Sequence, residues 1–290
     1  MAEAKKALVT QERLRKFCTL VLRHYRSAGR HSLPWRPPSL KLRKDKARDP
    51  YRILVSEVML QQTQVSRVVP KYHEFVRHFP NFRTLARAPL RNVLAAWSGI
   101  GYNRRAFYLK RIAEQVMRKY GGELPRDPDV LMTLPGIGAN TAGSIAAFAF
   151  NAPIAFIETN IRRAFIHHFC PGRRSVSDKT LLPLIKRSLR GKEPREWYSA
   201  LMDYGAHLGE TLPKITNPNR RSKHYTRQAK FEGSLRQLRG KILKLLLRHP
   251  MDISTLRKTI RDIRTLQVLR KLAEEGMVAR RSGKYRITGS

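Results

Sequence analysis

From residue 50 to residue 212, apolar side chains recur every three or four positions, and proline or glycine interrupts them to leave segments of about 8–18 residues. The interruptions fall at Pro80, Pro89, Gly99 and Gly101, Gly121-Gly122, Pro125, the run Pro135, Gly136 and Gly138, and Pro171-Gly172. Segments of that length and period are helices, and no alternating strand pattern appears before residue 270. The expected fold class is all-α. An earlier helix is predicted over residues 10–30 from Leu14, Phe17, Cys18, Val21, Leu22 and Tyr25. The breakers from Leu33-Pro34-Trp35-Arg36-Pro37-Pro38 to Asp49-Pro50 predict a loop.

After Leu212 the pattern changes. Residues 214–241 hold nine Lys or Arg and one acid, Glu232, which reads as an exposed basic linker over 213–234. Leu235, Leu238, Ile242, Leu245 and Leu246 then mark a helix, Ser254 is the expected N-cap of a second, and Leu266, Leu269, Leu272 and Ala273 mark a third. Met277 to Thr288 reads as two short strands around Ser282-Gly283. Three helices followed by a basic hairpin is the order of a winged helix; the plainer alternative is a small basic α+β appendage. The expected division is a helical core over 1–212, a linker over 213–234 and a winged-helix-like domain over 235–290.

The 59 Lys and Arg against 21 Asp and Glu give a net charge of +38, which calls for an anionic partner. Nucleic acid is the first candidate, because each neutralised phosphate releases a counterion. A membrane span is not expected, since no apolar run nears the roughly 18 residues required. The start, Met1-Ala2-Glu3-Ala4-Lys5-Lys6, lacks the apolar centre of a signal peptide, so a cytoplasmic location is expected, at the nucleoid if the source is bacterial or archaeal. A monomer is expected. With only Cys18 and Cys170, a disulfide framework, a four-cysteine zinc site and a four-cysteine iron–sulfur cluster are all excluded.

Three stretches carry chemistry. Leu134-Pro135-Gly136-Ile137-Gly138-Ala139-Asn140-Thr141 puts glycines at alternate positions just before a helix. Such a hairpin lets backbone approach a phosphate and offers N–H donors at the helix start, although an ordinary helix–helix turn has a similar look. Ser56-Glu57 through Gln61-Gln62-Thr63-Gln64 sets one carboxylate beside amides in a chain poor in acids. The plain reading makes Glu57 a helix N-terminal charge and the glutamines a solvated face. Glu158, between an apolar segment and Asn160-Ile161-Arg162-Arg163, is either a cap, a partner for Arg162, or a carboxylate at the mouth of a cleft.

Together with Leu33-Pro34-Trp35-Arg36, Asp49-Pro50-Tyr51, Trp97-x-Gly99-Ile100-Gly101-Tyr102 and Met202-Asp203-x-Gly205-Ala206, these motifs make residues 50–212 resemble the helix–hairpin–helix DNA glycosylases, most closely the MutY-type adenine branch. The resemblance implies a core of two helical lobes and removal of a flipped base from mismatched or damaged double-stranded DNA. It places Glu57 at the general acid that protonates adenine N7, and Glu158 at the family's aspartate that stabilises the sugar cation. Asn140 stands where bifunctional relatives carry a catalytic lysine, so no Schiff-base strand cleavage is expected. The implied DNA contacts are Gln61, Gln62, Thr63, Arg36, Gly136, Gly138, Thr141 and Arg162, with Tyr102 as the wedge. Arg280, Arg281 and Lys284 of the hairpin are expected to grip backbone.

This sequence departs from the family pattern. Glu158 is one methylene longer than aspartate, the stretch after Met202 lacks the four cysteines of an iron–sulfur loop, and residues 235–290 show the winged-helix pattern where long relatives carry a Nudix-like domain. No cofactor is expected beyond a monovalent or divalent cation at the hairpin. The readings left open are a glycosylase for thymine or uracil opposite guanine, and a DNA-binding protein of this fold without catalysis.

Overall fold

The computed structural model describes residues 9–36, 49–227 and 229–289. The Met1–Lys6 start and the Pro37–Arg48 part of the expected loop lie outside the described residues. Eleven of the helices are α1 (Gln11–Ala28), α2 (Pro50–Leu60), α3 (Val65–His78), α4 (Phe82–Arg87), α5 (Leu90–Ala96), α6 (Arg104–Lys119), α7 (Pro128–Met132), α8 (Ala139–Phe150), α9 (Thr159–Phe169), α10 (Asp178–Leu189) and α11 (Pro194–Thr211). Three more, α12 (Leu235–Leu246), α13 (Ile253–Ile260) and α14 (Thr265–Glu274), precede β1 (Val278–Arg281) and β2 (Lys284–Ile287). Among the described residues no helix is long and apolar enough to cross a membrane. The chain folds as two compact units: Met1–Arg48 with Gly138–Arg227, and Asp49–Ile137 with Gln228–Ser290.

In the first unit α11 packs on α9 and α1. Thr10 caps α1 by accepting from Arg13 N, and the stripe Leu14, Phe17, Cys18 and Val21 is buried. Phe17 meets Phe165 and Phe169 edge-on, with centroids 5.1 and 5.0 Å away, and rings so paired add about 0.5–1.5 kcal/mol to their burial. Every residue of α8 from Ala142 to Ala149 is buried, so this helix is apolar all round. Asp203 on α11 accepts from Arg30 N and Nε at 2.8 and 2.7 Å and from Arg36 Nη1 at 2.8 Å. That pair of arginines ties residues 30–36 to the core.

Most of the expected linker is exposed, as residues 213–216, 223–227 and 229–233 are, but its first part is also docked. Two 3-10 turns, Lys214–Thr216 and Pro218–Arg221, bury Pro218 and Asn219. Asn219 Nδ2 donates to Thr159 O at 3.0 Å, Arg221 donates to Cys170 O at 2.6 Å, and Val176 N donates to Arg221 O at 2.7 Å. Short polar side chains can satisfy backbone carbonyls in this way, so a stretch poor in large apolar residues still docks.

In the second unit α6 packs on α4, α5 and α2, around Trp97 and Phe75, whose rings meet edge-on at 5.7 Å. Residues 229–289 belong to the same unit. The expected second helix of this segment starts two residues earlier than predicted, because Asp252 is its cap: the carboxylate accepts from Thr255 N at 2.8 Å, and Ser254 donates to it at 2.6 Å. An ionised cap also suits the positive helix start, which a serine hydroxyl does less well. The two expected strands form an antiparallel pair in which Arg281 faces Lys284. Ser282 (φ 47°) and Gly283 (φ 75°) are both left-handed, the geometry of the tightest hairpin turn.

Candidate active site and nucleic-acid interface

Asp49 caps α2 and Pro50 begins it, so Glu57 is placed well past the helix start, in its second half. That removes the reading of Glu57 as an N-terminal charge: the negative end of a helix disfavours a carboxylate there. It is half-buried between the buried Ser56 and Val58.

Arg105, which the sequence did not single out, organises the end of α2. Its buried guanidinium donates to Val58 O, Met59 O and Gln61 O at 3.0, 2.7 and 2.5 Å, and to Thr63 Oγ1 at 2.9 Å. The last carbonyls of a helix have no partners within it, and here one side chain supplies them. The turn that follows carries Gln62 exposed in left-handed backbone (φ 54°), while Gln61 Nε2 donates to Gly136 O at 3.3 Å. Gln61 is thus tied to the hairpin, while Gln62 and Gln64 are exposed, as the solvated-face reading expects. Burial pulls Arg105 down to about 10, still protonated at neutral pH. Arg105→Met should cost about 3 kcal/mol or more in a urea denaturation midpoint series, since several buried carbonyls lose a charged donor at once. Arg105 was legible in principle: it shares the buried stripe of α6 with Leu109 and Ile112.

Tyr102 follows Gly99 and Gly101 and itself has φ 50°. Trp97 Nε1 donates to Gly101 O at 3.0 Å and Arg105 lies 5.3 Å from the Tyr102 ring centre. In the hairpin, Gly136 (φ 76°) accepts no side chain, because a Cβ would come within 2.5 Å of the Tyr108 ring. Gly138 caps α8 without a side-chain bond, and a Cβ there would meet nothing within 4 Å, so the approach to its backbone is open. Asn140 is exposed and Thr141 half-buried in the first turn of α8.

Glu158 is the cap of α9: Oε1 accepts from Asn160 N and Ile161 N at 2.7 and 2.8 Å, and Asn160 Nδ2 donates to Oε2 at 3.3 Å. Arg163 in turn donates to Asn160 Oδ1 at 2.8 Å and to Gly205 O at 2.5 Å. Burial pushes the Glu158 carboxyl up, against the two backbone N–H bonds and the charges of Arg163 and Arg162, which pull it down.

Two expected DNA contacts are placed otherwise. Arg36 is buried against Asp203, where a desolvated guanidinium is committed to its carboxylate partner. Arg162 neither pairs with Glu158 nor faces solvent freely; its Nε and Nη2 grip Asp178 at 2.8 Å each. Arg280, Arg281 and Lys284 are exposed on the hairpin. Both cysteines are buried and unpaired, one on α1 and one at the end of α9, so a four-thiolate cluster does not fit this chain. Among the described residues no three His, Cys, Asp or Glu side chains are grouped to hold a metal. A cation at the hairpin would therefore take main-chain carbonyls.

Residues 55–184 match the family described as HhH-GPD superfamily base excision DNA repair protein. A solved structure described as a thermostable thymine-DNA glycosylase superposes with a TM-score of 0.62 at 26% identity, over 75% of this chain and 99% of that one. A trapped endonuclease III–DNA covalent intermediate shares the fold, with a TM-score of 0.52 at 21% identity over 72% of this chain and 92% of that one. Among curated proteins, an adenine DNA glycosylase of Mycolicibacterium smegmatis is 34% identical over 75% of this chain and 76% of its own length. One of Mycobacterium tuberculosis is 31% identical over 93% of each. Another, from Buchnera aphidicola, is 34% identical over 66% of this chain, which spans about half of that relative (52%). The chain belongs to the helix–hairpin–helix base excision DNA repair superfamily and, within it, to the adenine DNA glycosylase family of DNA N-glycosylases.

Proposed function

We propose that this chain removes mispaired adenine from double-stranded DNA by flipping the nucleotide and hydrolysing its N-glycosidic bond. Glu57 gives a proton to N7 of the base, the bond to C1′ breaks with its electron pair going to the ring, and water adds to the sugar cation and gives up a proton that returns Glu57 to its acid form. Glu158 opposes the positive charge as it develops, the division of labour seen wherever two carboxyls serve one glycosidic bond. Asn140 offers no amine, so the reaction ends at the abasic site. The observation that carries this reading is the position of Glu57, a half-buried carboxylate in the second half of α2, one turn before Gln61, whose amide donates to Gly136 O of the hairpin.

On this reading the hairpin with Gly136, Gly138 and Thr141 holds phosphate, while Gln61, Gln62 and Thr63 meet the strand around the opposite base. Residues 235–290 act as a winged helix, supported by three helices followed by a hairpin whose Arg280, Arg281 and Lys284 are exposed. A panel of duplexes with adenine opposite 8-oxoguanine, adenine opposite guanine, thymine opposite guanine and uracil opposite guanine, cleaved afterwards by alkali, tests the substrate. Adenine release from the first two is expected. Release of thymine alone would favour the second reading, to which the likeness to the thymine-DNA glycosylase points. Inert duplexes throughout would leave only DNA binding. The salt dependence of affinity should be steep, with a log–log slope of several units at about 0.9 per phosphate contacted, and a flat titration would remove DNA as partner.

A further inference from the structure

Resting on the reading of Tyr102 as the residue inserted into the base stack, we propose that Arg236 of α12 is a positioning residue for that insertion, so that the C-terminal segment presets the wedge. Arg236 Nη1 donates to the Tyr102 hydroxyl, and its guanidinium lies 5.2 Å from the ring centre. Its other arm is fixed too, with Nη2 donating to Ala229 O at 2.8 Å. Arg105 lies 5.3 Å from the same ring and is itself immobilised by the carbonyls of α2. Two held cations therefore define where the ring stands, above a left-handed backbone that residues with side chains seldom adopt.

The helix that carries Arg236 is anchored independently. Ser234 caps α12, and Leu238 and Ile242 are buried beneath it. Glu275 accepts from Arg239 of α12 and from Arg104 at the start of α6, two residues after Tyr102. Burial alone would raise the Glu275 carboxyl, but the bonds from Arg239 and Arg104 outweigh it and hold it below its ordinary value. It stays charged at any pH where DNA repair proceeds.

Arg236 differs in this from the arginines that suit phosphate. Arg257, Arg270, Arg280 and Arg281 are exposed, while Arg236 is half-buried and donates to the Tyr102 hydroxyl and to Ala229 O. A ring pushed between bases must be ordered at the moment of insertion unless it is ordered beforehand, and holding it in advance removes that entropic cost from the flipping step.

The test uses the full chain and a duplex with 2-aminopurine next to an adenine opposite 8-oxoguanine. At saturating protein, Arg236→Ala should lose most of the fluorescence rise that reports unstacking, and single-turnover excision should fall roughly tenfold, the size of one charged hydrogen bond. The salt slope should not change. Tyr102→Phe keeps the ring and removes only the hydroxyl, so it should lose part of the same signal, and adding Arg236→Ala to it should cost less than in the wild type. A slope lower by about 0.9 with full unstacking would make Arg236 a phosphate contact and overturn the proposal. Wild-type unstacking in Arg236→Ala, or in Tyr102→Phe should Arg236→Ala not fold, would overturn it as well. Tyr102→Ala separates the two ideas: full unstacking in that variant removes the wedge itself, while its loss beside a silent Arg236→Ala removes only the positioning role.

Discussion

Glu57→Gln should abolish adenine release, a loss of three orders of magnitude or more, while duplex affinity stays within about twofold. An amide matches the carboxyl in shape but has no proton to give, and a positioned acid contributes roughly 10²–10⁴ in rate. Folding is read beside it: glutamine keeps the length and shape of the side chain, so the urea midpoint should move by no more than about 1 kcal/mol in stability. Activity lost with stability preserved is the signature of a residue kept for chemistry. Full excision by Glu57→Gln would end its assignment as the acid.

Glu158→Gln should slow excision about a hundredfold or more, the equivalent of roughly 3 kcal/mol of electrostatic stabilisation at the sugar. The cap geometry makes this substitution discriminating. A glutamine oxygen can still accept from Asn160 N and Ile161 N, so α9 keeps its start and only the charge is lost. If capping were the whole role of Glu158, the variant would excise normally. The pH profile gives a second reading. Burial raises the Glu158 carboxyl above the ordinary 4.5, so the protonated, inactive form persists to higher pH than in a solvated glutamate. Excision should climb as pH rises through that raised value, and this acidic limb should vanish in Glu158→Gln. Stability runs the other way: a raised carboxyl contributes to folding below its unfolded value, and that contribution is lost as pH rises through the folded one. At neutral pH, Glu158→Gln should thus fold at least as well as the parent.

Period and punctuation were enough to place the helices, because an apolar stripe and a proline act locally. The hairpin strands of the last residues were legible for the same reason, since Ser282-Gly283 dictates a tight turn whatever lies around it. Side chains that act across long separations were not. Arg36 and Arg105 look alike in a basic chain, yet one closes on Asp203 and the other on the carbonyls of α2. Only the buried stripe of α6 distinguishes Arg105 from its neighbour Arg104. Glu158 shows a further limit: the sequence offered cap or catalytic carboxylate as alternatives, and the structure shows the cap without thereby excluding the other. The docking of residues 229–289 within the same unit as α6 depends on Glu275 reaching two arginines, and no local pattern announces it.

The turns over 214–221 are held largely by amides, two guanidinium groups, a hydroxyl and main-chain bonds. With no cysteine after Cys170 in the sequence, a segment fastened in that way offers peroxide no thiolate to attack. What it does answer to is the state of the bulk solvent: urea, which competes for amide and carbonyl partners, is the agent that should loosen it first.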